Sequence, residues 1–219
     1  MQTRGLLSEE LHNIRRELSL MAARVEEDLG KALVVLRSGG TELTEEVLGS
    51  EKIVDTLQHK IDEMTLIIIA TQQPVASDLR ELLTILKLTS SLERISDYGV
   101  HLVRSALKLS CRPSFRSIER IERMAETGKS MLNAAFSAYL SQDAQAAREA
   151  AAMDRIIDDE HKALTEEVLK LMKKQPELVK PAARLLRLSG NMERLGDHIT
   201  NICEGIVFMI EGSYEDLNE

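Results

Sequence analysis

Carboxylates four residues apart on a helix stand one above the other, and a set of such pairs can share a hard cation through its oxygens. The chain carries Glu/Asp-x-x-x-Asp at Glu51/Asp55, Glu93/Asp97, Asp154/Asp158 and Glu193/Asp197. The first and third pairs lie 103 positions apart and the second and fourth 100 apart, so the pairs recur as a set. Glu93 and Asp97 belong to a line at i, i+4 spacing, Thr89, Glu93, Asp97, His101, which Ser189, Glu193, Asp197, Asn201 repeats. Thr89, His101, Ser189 and Asn201, with His59 and His161, stand near enough in helical spacing to serve as outer ligands. Four carboxylates gathered without a cation would repel one another and rise in pKa. The competing reading is a set of solvated acids, partnered across a groove by Arg80, Arg94, Arg194 and lysines.

Other chemistries find no footing. There is no Ser or Cys nucleophile arrangement, phosphate-cradling Gly-rich loop, HExxH or CxxC. A ferritin-type di-iron core needs repeated Glu-x-x-His motifs, and Glu9/His12 is the one instance, near the N-terminus. Gly39-Gly40 reads as a turn, and His198 as a surface or satisfied polar residue. Cys111 and Cys203 make neither a disulfide framework nor a thiolate zinc site, and a reducing compartment fits them. A net charge of −8 argues against nucleic acid as partner. With no signal peptide and no apolar run of about 20 residues, the expectation is a soluble, cytoplasmic protein. No enzyme follows from these residues.

The elements that position the acids read as helices throughout. Aromatics are 3% of the 219 residues, Trp is absent, and Pro and Gly are scarce, which suits long helices. Helical patterns run from residue 6 to 37, to about Thr71, and from Pro74 to near Cys111-Arg112-Pro113. Ser8 with Glu9 and Glu10 reads as the first start, Thr41 as a cap, Leu66-Ile67-Ile68-Ile69 as buried helix, and Pro74 as a first-turn residue. The plan then repeats through Ser117–Tyr139, Ala144–Lys174 and Glu177–Glu211, with Ser141-Gln142-Asp143 turning and capping. The methionines, including Met21, Met64, Met124, Met131, Met192 and Met209, fill core gaps. The tail from Gly212 reads as short, polar and frayed. The chain is thus all-α, two pseudo-symmetric three-helix bundles of long antiparallel helices, residues 1–112 and 113–219. Register brings the pairs together. Asp55 and Glu93 each lie 19 residues from Pro74, while Asp158 and Glu193 lie 18 and 17 from Pro176. Across a tight antiparallel turn such positions share one height, so each half gathers four carboxylates.

The segments DLRELLTILKLTSSLERISDYGVHL (Asp78–Leu102) and RLLRLSGNMERLGDHITNI (Arg184–Ile202), the acidic pairs of the preceding helices and the Gln-Pro breaks resemble the PhoU family of phosphate-uptake regulators over nearly the whole chain. The resemblance implies a cytoplasmic accessory protein without enzymatic activity, built as two three-helix bundles and expected to form a homodimer. Members are associated with the ATPase-driven ABC phosphate transporter and with a phosphate-sensing histidine kinase, as negative regulators when phosphate is ample. Some members hold multinuclear iron or zinc clusters on these motifs and others are metal-free. By position the ligand candidates are Glu51, Asp55, Glu93 and Asp97, then Asp154, Asp158, Glu193 and Asp197, with His101 and Asn201 as outer ligands. The first copy departs from the family pattern: Ser96 stands for glycine and His101 for asparagine. The second copy, with Gly196 and Asn201, keeps it.

Two readings of different class remain open at this point. One is an adaptor that binds a transporter ATPase or kinase stoichiometrically through rigid, acidic faces. The other is a carboxylate-bridged metal-binding protein or metalloenzyme, with activity lost when Asp97 or Asp197 is removed. A third and blander one is a structural helical protein with solvated acids.

Overall fold

Apolar residues at helical spacing carry the chain through α1 (Gln2–Ser38), α2 (Thr44–Gln72), α3 (Ser77–Ala106), α4 (Arg116–Ser141), α5 (Ala144–Ala151), α6 (Asp154–Lys174) and α7 (Val179–Glu211). The computed structural model describes residues 2–39, 42–109 and 116–218, and among them there is no strand. The architecture is all-α. Helices α1 to α3 pack as one three-helix bundle and α4 to α7 as its pseudo-symmetric counterpart, with α5 and α6 together in the place of α2.

The two bundles meet along α3 and α7, and again where α1 crosses α4. Leu88, Leu92, Ile95 and Leu102 of α3 are fully buried, as are Leu188, Met192, Ile199 and Ile202 of α7. Each such side chain contributes roughly 1.5–3 kcal/mol of transfer free energy. Tyr98 and His198, equivalent positions of the repeat, meet with ring centroids 5.9 Å apart, which sets the pseudo-two-fold axis beside them. At the α1–α4 crossing Arg37 pairs with Glu122 at 3.7 Å and with Glu126. The methionines named above are buried or partly buried in the core, as is the free Cys203.

Several local expectations need correction. The helix expected from Ala144 to Lys174 comes in two segments: the Met153 N–H bonds Ala150 O, and the Ile156 N–H bonds Met153 O. These i, i−3 bonds tighten one turn between α5 and α6, immediately before Asp154. Of the apolar run, Ile68 is buried and Ile69 packs partly against the core. Leu66 is 61% exposed and Ile67 50%, because consecutive residues step 100° around a helix and cannot share one stripe. Helix α1 begins at Gln2 rather than at Ser8. Pro74 lies in the linker before α3, and Pro176 opens a short 3-10 turn that leads into α7. Asp143 does cap its helix, accepting from the Ala146 N–H at 3.0 Å. Thr41, Cys111 and the segment around Pro113 fall outside the described residues.

The tail is not frayed. Gly212 takes φ 77° and ends α7, a left-handed conformation that glycine adopts without steric cost. Beyond it the chain doubles back along α7. Tyr214 stacks on Phe208 at 4.0 Å, and the Leu217 N–H donates to Glu204 Oε1 at 2.9 Å.

Candidate functional site

Antiparallel pairing of α2 with α3 brings Glu51 and Asp55 opposite Asp97 and Glu93, at the heights that the distances from Pro74 require. Glu93 is pushed above the ordinary carboxylate range, first by burial and then by Asp97, with Asp55 and Glu51 adding and Arg94 opposing. Asp97 is raised by burial and by Glu51, against Arg94 and His101. Two arginines offset part of the charge in this half. Arg94 lies 3.3 Å from Glu93 and 3.6 Å from Asp97, and Arg104 holds Glu51 at 3.2 Å.

The α6–α7 pair repeats the geometry with a different balance. Asp154, Asp158, Glu193 and Asp197 line one groove of about 510 Å³. Asp154 is only 8% exposed. Its Oδ2 accepts from the Thr200 hydroxyl at 3.4 Å, and its Oδ1 has no hydrogen-bond partner. Burial, then Asp158 and Asp197, push its carboxyl up to about 7. Glu193 is raised by burial and Asp197, opposed by His161 and Arg194, and Asp197 by burial and Asp158, opposed by His198 and Arg194.

Two substitutions within the repeat explain the asymmetry. Gly196 is what admits Asp154, since a Cβ there would lie 2.0 Å from Asp154 Oδ1 and 3.1 Å from Ile157. In the first half that place is taken by the buried Ser96, and Glu51 turns outward to Arg104. The residue equivalent to Arg104 is Glu204, which holds the tail instead, and the arginines that line the second groove, Arg148 and Arg155, come from other places in the chain. We expect Gly196→Ala to expel Asp154 towards solvent. Helix propensity gains about 1 kcal/mol and the buried charge is relieved, so at pH 8 the variant should be more stable than wild type, while the rise in stability between pH 8 and pH 5 disappears. Thermal melts at the two pH values check this, and an unchanged pH dependence would contradict the slot.

The outer-ligand candidates divide. His161 Nδ1 lies 2.7 Å from the Ser189 hydroxyl beside Glu193, and His101 is exposed next to Asp97. Thr89 donates to Asp62 at 3.0 Å. His59 is exposed, and Asn201 lines a separate groove between α3 and α7 with His198. His198 is half-buried against Tyr98, its pKa lowered by burial. Arg80 lies not across a groove but beside Gly212. Sequence reasoning passed over Arg104, Thr200, Arg148 and Glu204; extending the repeat comparison past Leu102 and Ile202 would have found the Arg104/Glu204 exchange.

As a metal centre, the donor set is right for a hard cation and Asp154 Oδ1 is an acceptor without a donor. Among the described residues, though, no three His, Cys, Asp or Glu side chains stand close enough to hold one ion as they are. A cation would have to draw the second groove's carboxylates together. No helix among the described residues is long and apolar enough to cross a membrane.

Comparison with known proteins gives a consistent result. A family model described as the PhoU domain matches twice, over residues 18–106 and 121–206, each match holding one set of four acidic residues. A phosphate-specific transport system accessory protein PhoU homolog of Clostridium acetobutylicum is 28% identical, over 99% of this chain and 100% of its own length. A protein of the same description from Borreliella burgdorferi is 34% identical, over 98% of this chain and 99% of its own. The crystal structure of PhoU from Pseudomonas aeruginosa is similar with a TM-score of 0.89 at 28% identity, covering 94% of this chain and 99% of that one.

Proposed function

The chain belongs to the PhoU family, and from that membership we propose that it is a non-enzymatic negative regulator of phosphate uptake. In this reading it is a cytoplasmic adaptor that links the ATPase of an ABC phosphate transporter to a phosphate-sensing histidine kinase, and it works as a homodimer. Relatives carry the description of accessory proteins of phosphate transport. The observation that carries the reading here is the pair of acidic clusters at equivalent places on one helical scaffold. A partner with basic segments finds charge complementarity on each unit, 1–112 and 113–219, and complementarity of that kind sets partner choice and encounter rate.

The second groove is the one we propose for an iron or zinc cluster. Asp154, Asp158, Glu193 and Asp197 would hold it, and its charge would offset their mutual repulsion and reshape the face offered to a partner. Arg94 and Arg104 already perform that offset for Glu51, Glu93 and Asp97 in the first half. The unpartnered Asp154 Oδ1 also favours the rival reading, a carboxylate-bridged metalloenzyme; substrate turnover that Asp197→Ala abolishes would decide for it.

Cells lacking this chain should take up labelled phosphate severalfold faster than wild type in ample phosphate, and the wild-type chain should restore the restraint. Equal uptake with and without the chain would contradict the assignment.

A further inference from the structure

The C-terminal tail lies where neither family match reaches, and it crosses one groove. Glu215, Asp216, Leu217 and Asn218 line the same cavity as Asp154, Asp158, Glu193 and Asp197. Arg148 of α5 anchors the crossing, with Nη1 and Nη2 on Glu211 at 2.9 and 2.7 Å and Nη2 on Glu215 at 2.6 Å. Tyr214 is held between Phe208, stacked at 4.0 Å, and Lys87 of α3, whose Nζ sits 4.7 Å from the ring centroid. Leu217 packs its side chain on the core and ties its N–H to Glu204. These contacts follow α7 backwards, from Glu211 to Phe208 to Glu204, and bring Asn218 to the groove.

From this path we propose that residues 212–218 form a strap that gates the second acidic groove and leaves the first open. The holding contacts are weak ones. Exposed ion pairs and a surface cation–π contact each contribute little in water, and in the groove Glu215 and Asp216 meet four further carboxylates against two arginines, Arg148 and Arg155. The strap is therefore poised to release, and a basic segment or a cation drawn to the second groove meets it first. The strap's effect on partners rests on the adaptor reading; its existence does not, because access to the groove can be measured with no partner present.

The test uses Asp197→Cys and its first-half equivalent Asp97→Cys, each in a Cys111→Ser background. Cys203 is buried with its thiol pushed up to about 12, so it stays silent. The rate of labelling by a bulky maleimide is compared in the full chain, in a chain ending at Gly212 and in Arg148→Ala. Labelling at position 197 should accelerate at least about fivefold without the strap, and about two- to threefold with Arg148→Ala, while position 97 stays within about a factor of two. Equal rates at position 197 in all three chains would overturn the proposal. If truncation loosens the whole fold, position 97 accelerates as well, and the Arg148→Ala rates then decide in the same two directions.

Discussion

At pH 8 the metal-free Asp154→Asn protein is expected to melt about 5–10 °C above wild type. Asp154 titrates near 7 in the folded protein against an ordinary value of 3.8. Between those values the fold binds a proton that the unfolded chain does not, so stability is full below about pH 4 for this group and is lost as pH rises through 7. By pH 8 the buried carboxylate is ionised, with an unpartnered oxygen and with Asp158 and Asp197 against it. The resulting loss is on the order of 2–4 kcal/mol, and each kcal/mol moves the melting temperature of a chain this size by roughly 2–4 °C. Asparagine keeps the shape and the acceptor for Thr200, removes the charge and turns a donor towards neighbouring carboxylates. The advantage should vanish at pH 4 to 5. Melting curves of both proteins from pH 4 to 8 check it, and an Asp154→Asn protein no more stable than wild type at pH 8 would refute the electrostatic account.

Arg15→Ala is expected to lower stability by roughly 2–4 kcal/mol. Arg15 of α1 grips Glu81 of α3 with two bonds, Nε at 2.5 Å and Nη2 at 2.6 Å. Glu81 is buried, beside the equally buried Tyr139 of α4. Removing the guanidinium strands a carboxylate that must either stay charged in a low-dielectric site or take up a proton. Replacing the pair together, Arg15→Met with Glu81→Leu, should recover most of the loss, because no charge is then left buried. Urea denaturation of the three proteins measures both effects. A loss below about 1 kcal/mol for Arg15→Ala would mean that water reaches Glu81.

These two residues mark how much was legible in the chain alone. The acidic pairs, their convergence in each half and the six-helix plan follow from periodicity and from equal distances to Pro74 and Pro176. Ser96 against Gly196 could also be read as a difference in how closely the helices approach. The tightened turn at Ala152–Met153 could not, since an alanine-rich run has no local breaker and α4 and α7 decide where it bends. The tail misled for the same reason. Gly212–Asn218 has no apolar period, and what holds it, Arg148 and Lys87, comes from α5 and α3. Arg15–Glu81 is a long-range pair of two residues that sequence treats as surface charge.

The most direct test of the adaptor account is a pull-down from membranes of cells grown with ample or with scarce phosphate. Wild type and the Asp97→Ala/Asp197→Ala protein serve as bait. The account predicts recovery of the transporter ATPase or the sensor kinase by wild type, stronger in ample phosphate and reduced in the variant. Recovery of neither protein under either condition would contradict it.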